Sequence, residues 1–177
     1  MDVITYLDTV RYAIRNVVRP FVPTVAMRVY FGINVLINSC VLETSVVQNA
    51  PRVHIGGQPN ELYTLVMVDP DAPNPNEPHF RQLVSWIVTN IPGWGSCEEG
   101  TEMASYERPN PEIGIHRYIL ILYKQHHDSR IWTQLILVFA STSIVLQTSI
   151  TWETLLDWRI SMFEGRLMEA NGMLEHK

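Results

Sequence analysis

Residues 62–73, LYTLVMVDPDAP, and residues 105–125, SYERPNPEIGIHRYILILYKQ, decide the fold of this chain. Leu62 to Val68 and Tyr118 to Tyr123 are near-continuous apolar runs. Each is bounded by proline, glycine or charge, which marks a strand buried on both faces rather than one half exposed. Val84 to Val88 is a third such run. Met27 to Phe31 alternates, and Gln48 to Ile55 leads into Gly56-Gly57, so both predict further strands. Proline-rich segments between them predict ordered, irregular loops. The region from Val25 to Gln125 is therefore expected to be mainly β, built on a central sheet.

Composition limits the function classes. Of 177 residues, 46% are hydrophobic and 18% charged, with a formal net charge of −5. That suits a globular domain with a real core and argues against a disordered chain or a basic nucleic-acid binder. The two cysteines, Cys40 and Cys97, point to a reducing compartment without a disulfide framework.

Near the N-terminus, Asp2 and Asp8 interrupt any signal-peptide pattern. Residues 5–18 predict an amphipathic helix with Leu7, Val10, Ile14 and Val17 on one stripe, ended by Pro20 and Pro23. Packing on the domain is the expected role of this helix, with a membrane surface as its alternative. The far end differs. All 11 prolines lie at or before Pro111, and neither glycine nor proline occurs from His126 to Glu164. Residues 134–150 are apolar and β-branched but carry Ser141, Thr142, Ser143, Gln147 and Thr148, which makes a poor membrane span. Residues 151–173 are expected to be helical.

Two clusters carry the chemistry. In the first, Asp69 and Asp71 are two apart in an extended segment and so point the same way, with Pro70 and Pro73 stiffening the backbone. Such a pair suits a metal, a shared proton or the donors of a polar ligand. A capped turn with solvated aspartates is the plain alternative. In the second, Pro109, Pro111 and Gly114 shape a rigid loop that delivers His116 and Arg117 to the start of a buried run. A histidine there suits ligand binding or a satisfied structural role. His79 and Arg81 are further polar candidates. His126-His127-Asp128 reads as solvated polar residues. No nucleophile elbow, phosphate loop, zinc spacing or dinucleotide fingerprint occurs. On spacing alone, a metal-assisted hydrolase built on Asp69, Asp71 and His116 stays open.

The two opening stretches, together with PHFRQLVSWIVTNIPG at 78–93 and VVQNAPRVHIGG at 46–57, resemble the signature regions of the phosphatidylethanolamine-binding protein family. The resemblance is to its plant branch, the Flowering Locus T and Terminal Flower group, and runs from about Met27 through Gln125. It implies a large central antiparallel sheet with a smaller sheet and peripheral helices. It implies no catalytic residues, no metal and no cofactor. By position it places an anion-accepting pocket at Asp69, Asp71, Pro73, Ser85, Pro109, His116 and Tyr118. It also implies a regulator of flowering or shoot architecture in cytoplasm and nucleus. Such a regulator acts through 14-3-3 proteins and, through them, a bZIP transcription factor, with a phospholipid or other anion as ligand. It implies neither direct DNA binding nor a membrane span.

Three departures bear on this. Ser85 stands where the family has an imidazole before the tryptophan. Leu83 stands where activators carry Tyr and repressors His, and it forms neither hydrogen bond. On the partner surface, reached through Pro92 and Glu99, the carboxylate of Glu99 replaces an aromatic and weakens an apolar contact.

Past Gln125 the resemblance stops, dividing the chain into a family-like part, 1–125, and a tail, 126–177. Reading the third base of each codon with the first two of the next tests the tail. Trp152 with Glu153 forces glycine, Asp157 with Trp158 forces leucine and Met162 with Phe163 forces valine. One permitted reading, RFNINRLANKHNLGNPIGLAYINVR, keeps the family's spacing. The expectation is a single-frame slip between Gln125 and Phe139, with a divergent tail as the alternative. The family's C-terminal strand and helix would then be absent or non-native and the chain poorly stable.

Overall fold

The computed structural model describes Val17, residues 23–80 and 83–125, and the backbone of residues 160–168. The helix expected over 5–18, the run 134–150, Arg81 and His126 to Asp128 lie outside the described residues, Val17 aside.

Strands β1 (Ala26–Phe31), β2 (Asn34–Val35) and β4 (Arg52–Gly56) form a small antiparallel sheet in the order β2-β1-β4. The larger sheet holds β3 (Cys40–Glu43), β5 (Leu62–Asp69), β6 (Leu83–Pro92), β7 (Thr101–Ala104), β8 (Ile115–Lys124) and β9 (Ile160–Met168), in the order β3-β9-β8-β5-β6-β7. All its neighbours are antiparallel except β3 and β9, which run parallel. Among the described residues the one helical element is a 3₁₀ turn, Cys97–Glu99.

The apolar runs do what their composition dictates. Val29, Phe31, Val53 and Ile55 on the small sheet's inner face pack against Tyr63, Leu65, Met67, Trp86, Val88, Tyr118, Leu120 and Leu122 of the large one. The opposite face of the large sheet gathers Ile87 with Val66, Val84, Met103 and Ala104. Strands covered on both sides need apolar residues at every position, which is why β5 and β8 do not alternate.

The tail requires a correction. Residues 160–168 form β9, not part of a helix over 151–173. β9 pairs with β8 from Ile115↔Met168 to Tyr123↔Ile160, saturating a backbone edge that a helix would leave open. Gly165, in the middle of this segment, also disfavours a helix. The edge of β8 expected to be bare is thus covered.

β6 is irregular. Met67 pairs with Trp86, but Val68 pairs with Val84, so Ser85 is an extra residue, a β-bulge. A second register shift separates Tyr63↔Ile91 from Leu65↔Val88, and Asn90 within it has φ 57°. Asparagine tolerates that left-handed backbone better than most residues.

Candidate functional site

β5 and β8 are neighbours, and both clusters meet at the same end of the sheet. The last paired residues there are Val68 and Ile119, so Asp69 and Asp71 emerge beside His116, Arg117 and Tyr118. All but the half-buried Arg117 are buried.

The two carboxylates do not converge on one point. Asp69 Oδ2 lies 2.7 Å from His116 Nδ1, while its Oδ1 accepts the Asp71 N–H at 2.8 Å. Asp71 turns to Arg117. Its Oδ2 accepts the Arg117 backbone N–H at 2.8 Å and Nε at 2.9 Å, and its Oδ1 accepts Nη2 at 2.6 Å. Every carboxylate oxygen of the pair therefore has a protein donor. Such charge-assisted, bidentate bonds are the strong class.

His116 Nε2 faces the Ile113 carbonyl at 3.1 Å. Both ring nitrogens thus face acceptor oxygens, and both bonds form together only in the imidazolium. The side chain braces Asp69 on one side and the 112–114 loop on the other.

Burial pulls the Asp71 carboxyl upward, but the Arg117 side-chain and backbone donors, then the charges of Arg117 and His116, outweigh it. The net effect holds Asp71 below its ordinary value. Burial, then the charge of Asp69 and a hydrogen bond to it, pushes the Tyr118 phenol well above its ordinary value.

The other expected positions divide. Leu83 pairs directly with Asp69 across the strands and is half-buried. Ser85, the bulge residue, is buried, and its carbonyl accepts the Glu107 N–H at 2.8 Å, tying β6 to the 105–111 loop. Pro109 is buried in that loop, whereas Pro73, after a cis Ala72–Pro73 peptide, is exposed. His79 is exposed and 3.7 Å from Glu77, outside this network.

Pro92 and Glu99 lie elsewhere. Pro92 ends β6, roughly 30 Å along the strand from Leu83. The Glu99 carboxylate accepts the Ser96 N–H at 2.8 Å, completing a capping box on the 3₁₀ turn. The sequence reading assigned Arg117 no role, although it stands next to His116. The Ser96-Cys97-Glu98-Glu99 spacing carried the capping signal for Glu99.

Among the described residues no cluster of three His, Cys, Asp or Glu side chains gathers as a metal set. The family model for phosphatidylethanolamine-binding protein matches residues 36–158. The chain belongs to that family. The matched stretch contains both clusters and their hydrogen-bond network, and it extends beyond Gln125.

Plant relatives are similar over about 63% of the chain. Protein MOTHER of FT and TFL1 homolog 2 of Oryza sativa subsp. japonica is 46% identical over 112 residues, 63% of this chain and 64% of that protein. Protein FLOWERING LOCUS T of Arabidopsis thaliana is 44% identical over 111 residues, 62% of this chain and 63% of that one. The chain thus covers slightly less than two thirds of these relatives. The fold is also that of the phosphatidylethanolamine-binding protein from Plasmodium vivax, at a TM-score of 0.71 and 19% identity over 95% of this chain and 98% of that one. Among the described residues no helix is long and apolar enough to cross a membrane.

Proposed function

We propose that this chain is a non-enzymatic regulator of flowering time or shoot architecture that works by binding protein partners. The observation that carries this reading is its 44% identity to FLOWERING LOCUS T over 111 residues. The site chemistry supports it. All four oxygens of Asp69 and Asp71 are engaged by protein donors, so a base or metal-ligand role for either would compete with these bonds. A hydrolase built on this pair would first have to break its own framework.

The partners in this reading are 14-3-3 proteins and, through them, a bZIP transcription factor, in cytoplasm and nucleus. They would be met at the Pro92 and Glu99 end of β6. Glu99 presents a carboxylate there, which weakens an apolar contact. Residues 126–177 are read as the product of a single-frame slip, which impairs the function further. Sequencing the transcript from the codon of Gln125 tests the slip, and an uninterrupted gene without a homologous shifted frame overturns it. Binding of the purified chain to a 14-3-3 protein is expected to be weaker than that of a restored-frame chain. Equal affinity overturns the impairment. Unchanged flowering time and shoot architecture in plants expressing the restored-frame chain overturn the regulator reading itself.

A second reading is a module that binds an anion or phospholipid head group without signalling. It is favoured by the position of buried His116 directly behind the exposed 112–114 loop. Titration with a phosphate-bearing head group should show binding that His116→Ala abolishes. Unchanged binding by that variant sinks this reading.

A further inference from the structure

The outer face of the small sheet has no role in the pocket. Strand alternation sends Val29, Phe31, Val53 and Ile55 inward, so Arg28, Tyr30, Arg52 and His54 share the other face. The register sets them in rows. Arg28 lies directly opposite His54, and Tyr30 lies between Arg52 on β4 and Val35 on β2. Arg28, Arg52, His54 and Val35 are exposed, and Tyr30 is half-buried.

This group is partly preorganised. The Arg52 guanidinium lies 6.0 Å from the Tyr30 ring centroid, and its Nη2 donates to the Gly32 carbonyl at 3.1 Å. Tyr30 meets His54 edge-to-face at 5.6 Å. Among the described residues, the ion pairs are those of His79, His116, Arg117 and Lys124, so no carboxylate neutralises Arg28, Arg52 or His54. In a chain of net charge −5, this is a cationic and aromatic face without an acid among the described residues. An apolar margin adjoins it, with Ile33 93% exposed at the hairpin tip and Val35 58% exposed.

We propose that this face docks an acidic peptide segment of a partner protein. Carboxylates spaced two residues apart along an extended peptide would meet Arg28 and Arg52, a diagonal cross-strand pair roughly 7–8 Å apart. Apolar side chains of the same peptide would cover Ile33 and Val35. Charge complementarity favours this occupant. Two fixed cations fall short of the four to eight that typically hold a protein on an anionic membrane. They fall equally short of the roughly six to ten phosphate contacts of a DNA-binding surface. The net negative charge of the chain opposes both extended polyanions at long range. This surface is separate from the pocket, and neither reading depends on the other.

The test is fluorescence anisotropy on the full chain with a fluorescein-labelled peptide of alternating Glu and Leu. Binding should weaken with salt and fall about tenfold or more in Arg28→Glu/Arg52→Glu. Arg108→Glu, a charge reversal off this face, should leave it nearly unchanged. If the double reversal lowers the unfolding midpoint, Arg28→Gln/Arg52→Gln supplies the same reading. Absence of peptide binding by the native chain overturns the proposal. So does an equal loss in Arg108→Glu, or tighter capture of duplex DNA or phosphatidylserine vesicles through the same arginines.

Discussion

Asp69 and His116, 47 residues apart in the chain, share a 2.7 Å hydrogen bond with both side chains almost wholly buried. This contact joins the ends of β5 and β8 and fixes the geometry of the hydrogen-bonded cluster there. Removing His116 leaves Asp69 Oδ2 buried without its partner, and removing Asp69 does the same to His116 Nδ1. His116→Ala is expected to lower stability by about 3–5 kcal/mol in denaturant unfolding. His116→Ala combined with Asp69→Ala should cost clearly less than the two separate losses added together. Simple additivity would show that the bond contributes nothing of its own.

The pH dependence has a defined sign on each side. Asp71 has a folded-state value below its ordinary 3.8. Its contribution is therefore complete above that ordinary value and is lost as pH falls through the lowered one. Tyr118 and Tyr123, both raised from 10.0 with burial as the first cause, contribute fully below 10.0 and lose that contribution as pH rises toward their folded values. Unfolding midpoints should thus decline at both extremes. Asp71→Asn should flatten the acid limb and leave the alkaline limb unchanged. An unaltered acid limb would show that Asp71 is not the group responsible.

Gly93 and Gly32 separate crowding from backbone strain. A Cβ at Gly93 would lie 2.0 Å from the Gln58 carbonyl oxygen, whereas one at Gly32 meets nothing within 4 Å. Gly93→Ala should cost about 1–3 kcal/mol because backbone has to move. Gly32→Ala should cost only about 1–2 kcal/mol, from its φ of 61°. Urea midpoints rank the two, and a larger effect at Gly32 would contradict the crowding argument.

The tail can be tested by calorimetry. Under the frame-slip reading, the purified chain should show a broad or weak thermal transition, and a restored-frame chain a higher midpoint. A cooperative transition of normal height in the present chain would show that its tail, β9 included, supports the fold adequately.

The parts legible in the sequence were those where burial leaves one solution. Leu62 to Val68 and Tyr118 to Tyr123 had to be central strands, because no other short element hides so many consecutive apolar side chains. β2, β3 and β7 are two to four residues long and carry no period to read. The two clusters were visible, but not how they paired. Spacing suggested that Asp69 and Asp71 act together, whereas the register between β5 and β8 gives each its own partner, His116 for one and Arg117 for the other. The helix expected over 151–173 failed because an open β8 edge outweighs local propensity.

Ser85 leaves a consequence for how β6 tolerates change. The inserted residue reverses the pleat, so Val84 shares the Ile87 face instead of the Trp86 face. Position 83 is thereby uncoupled from the packing phase of the residues that follow it. A side chain opposite Asp69 can be exchanged without shifting the core out of step. Mutational drift and selection can then act on position 83 while the strand behind it holds the fold constant.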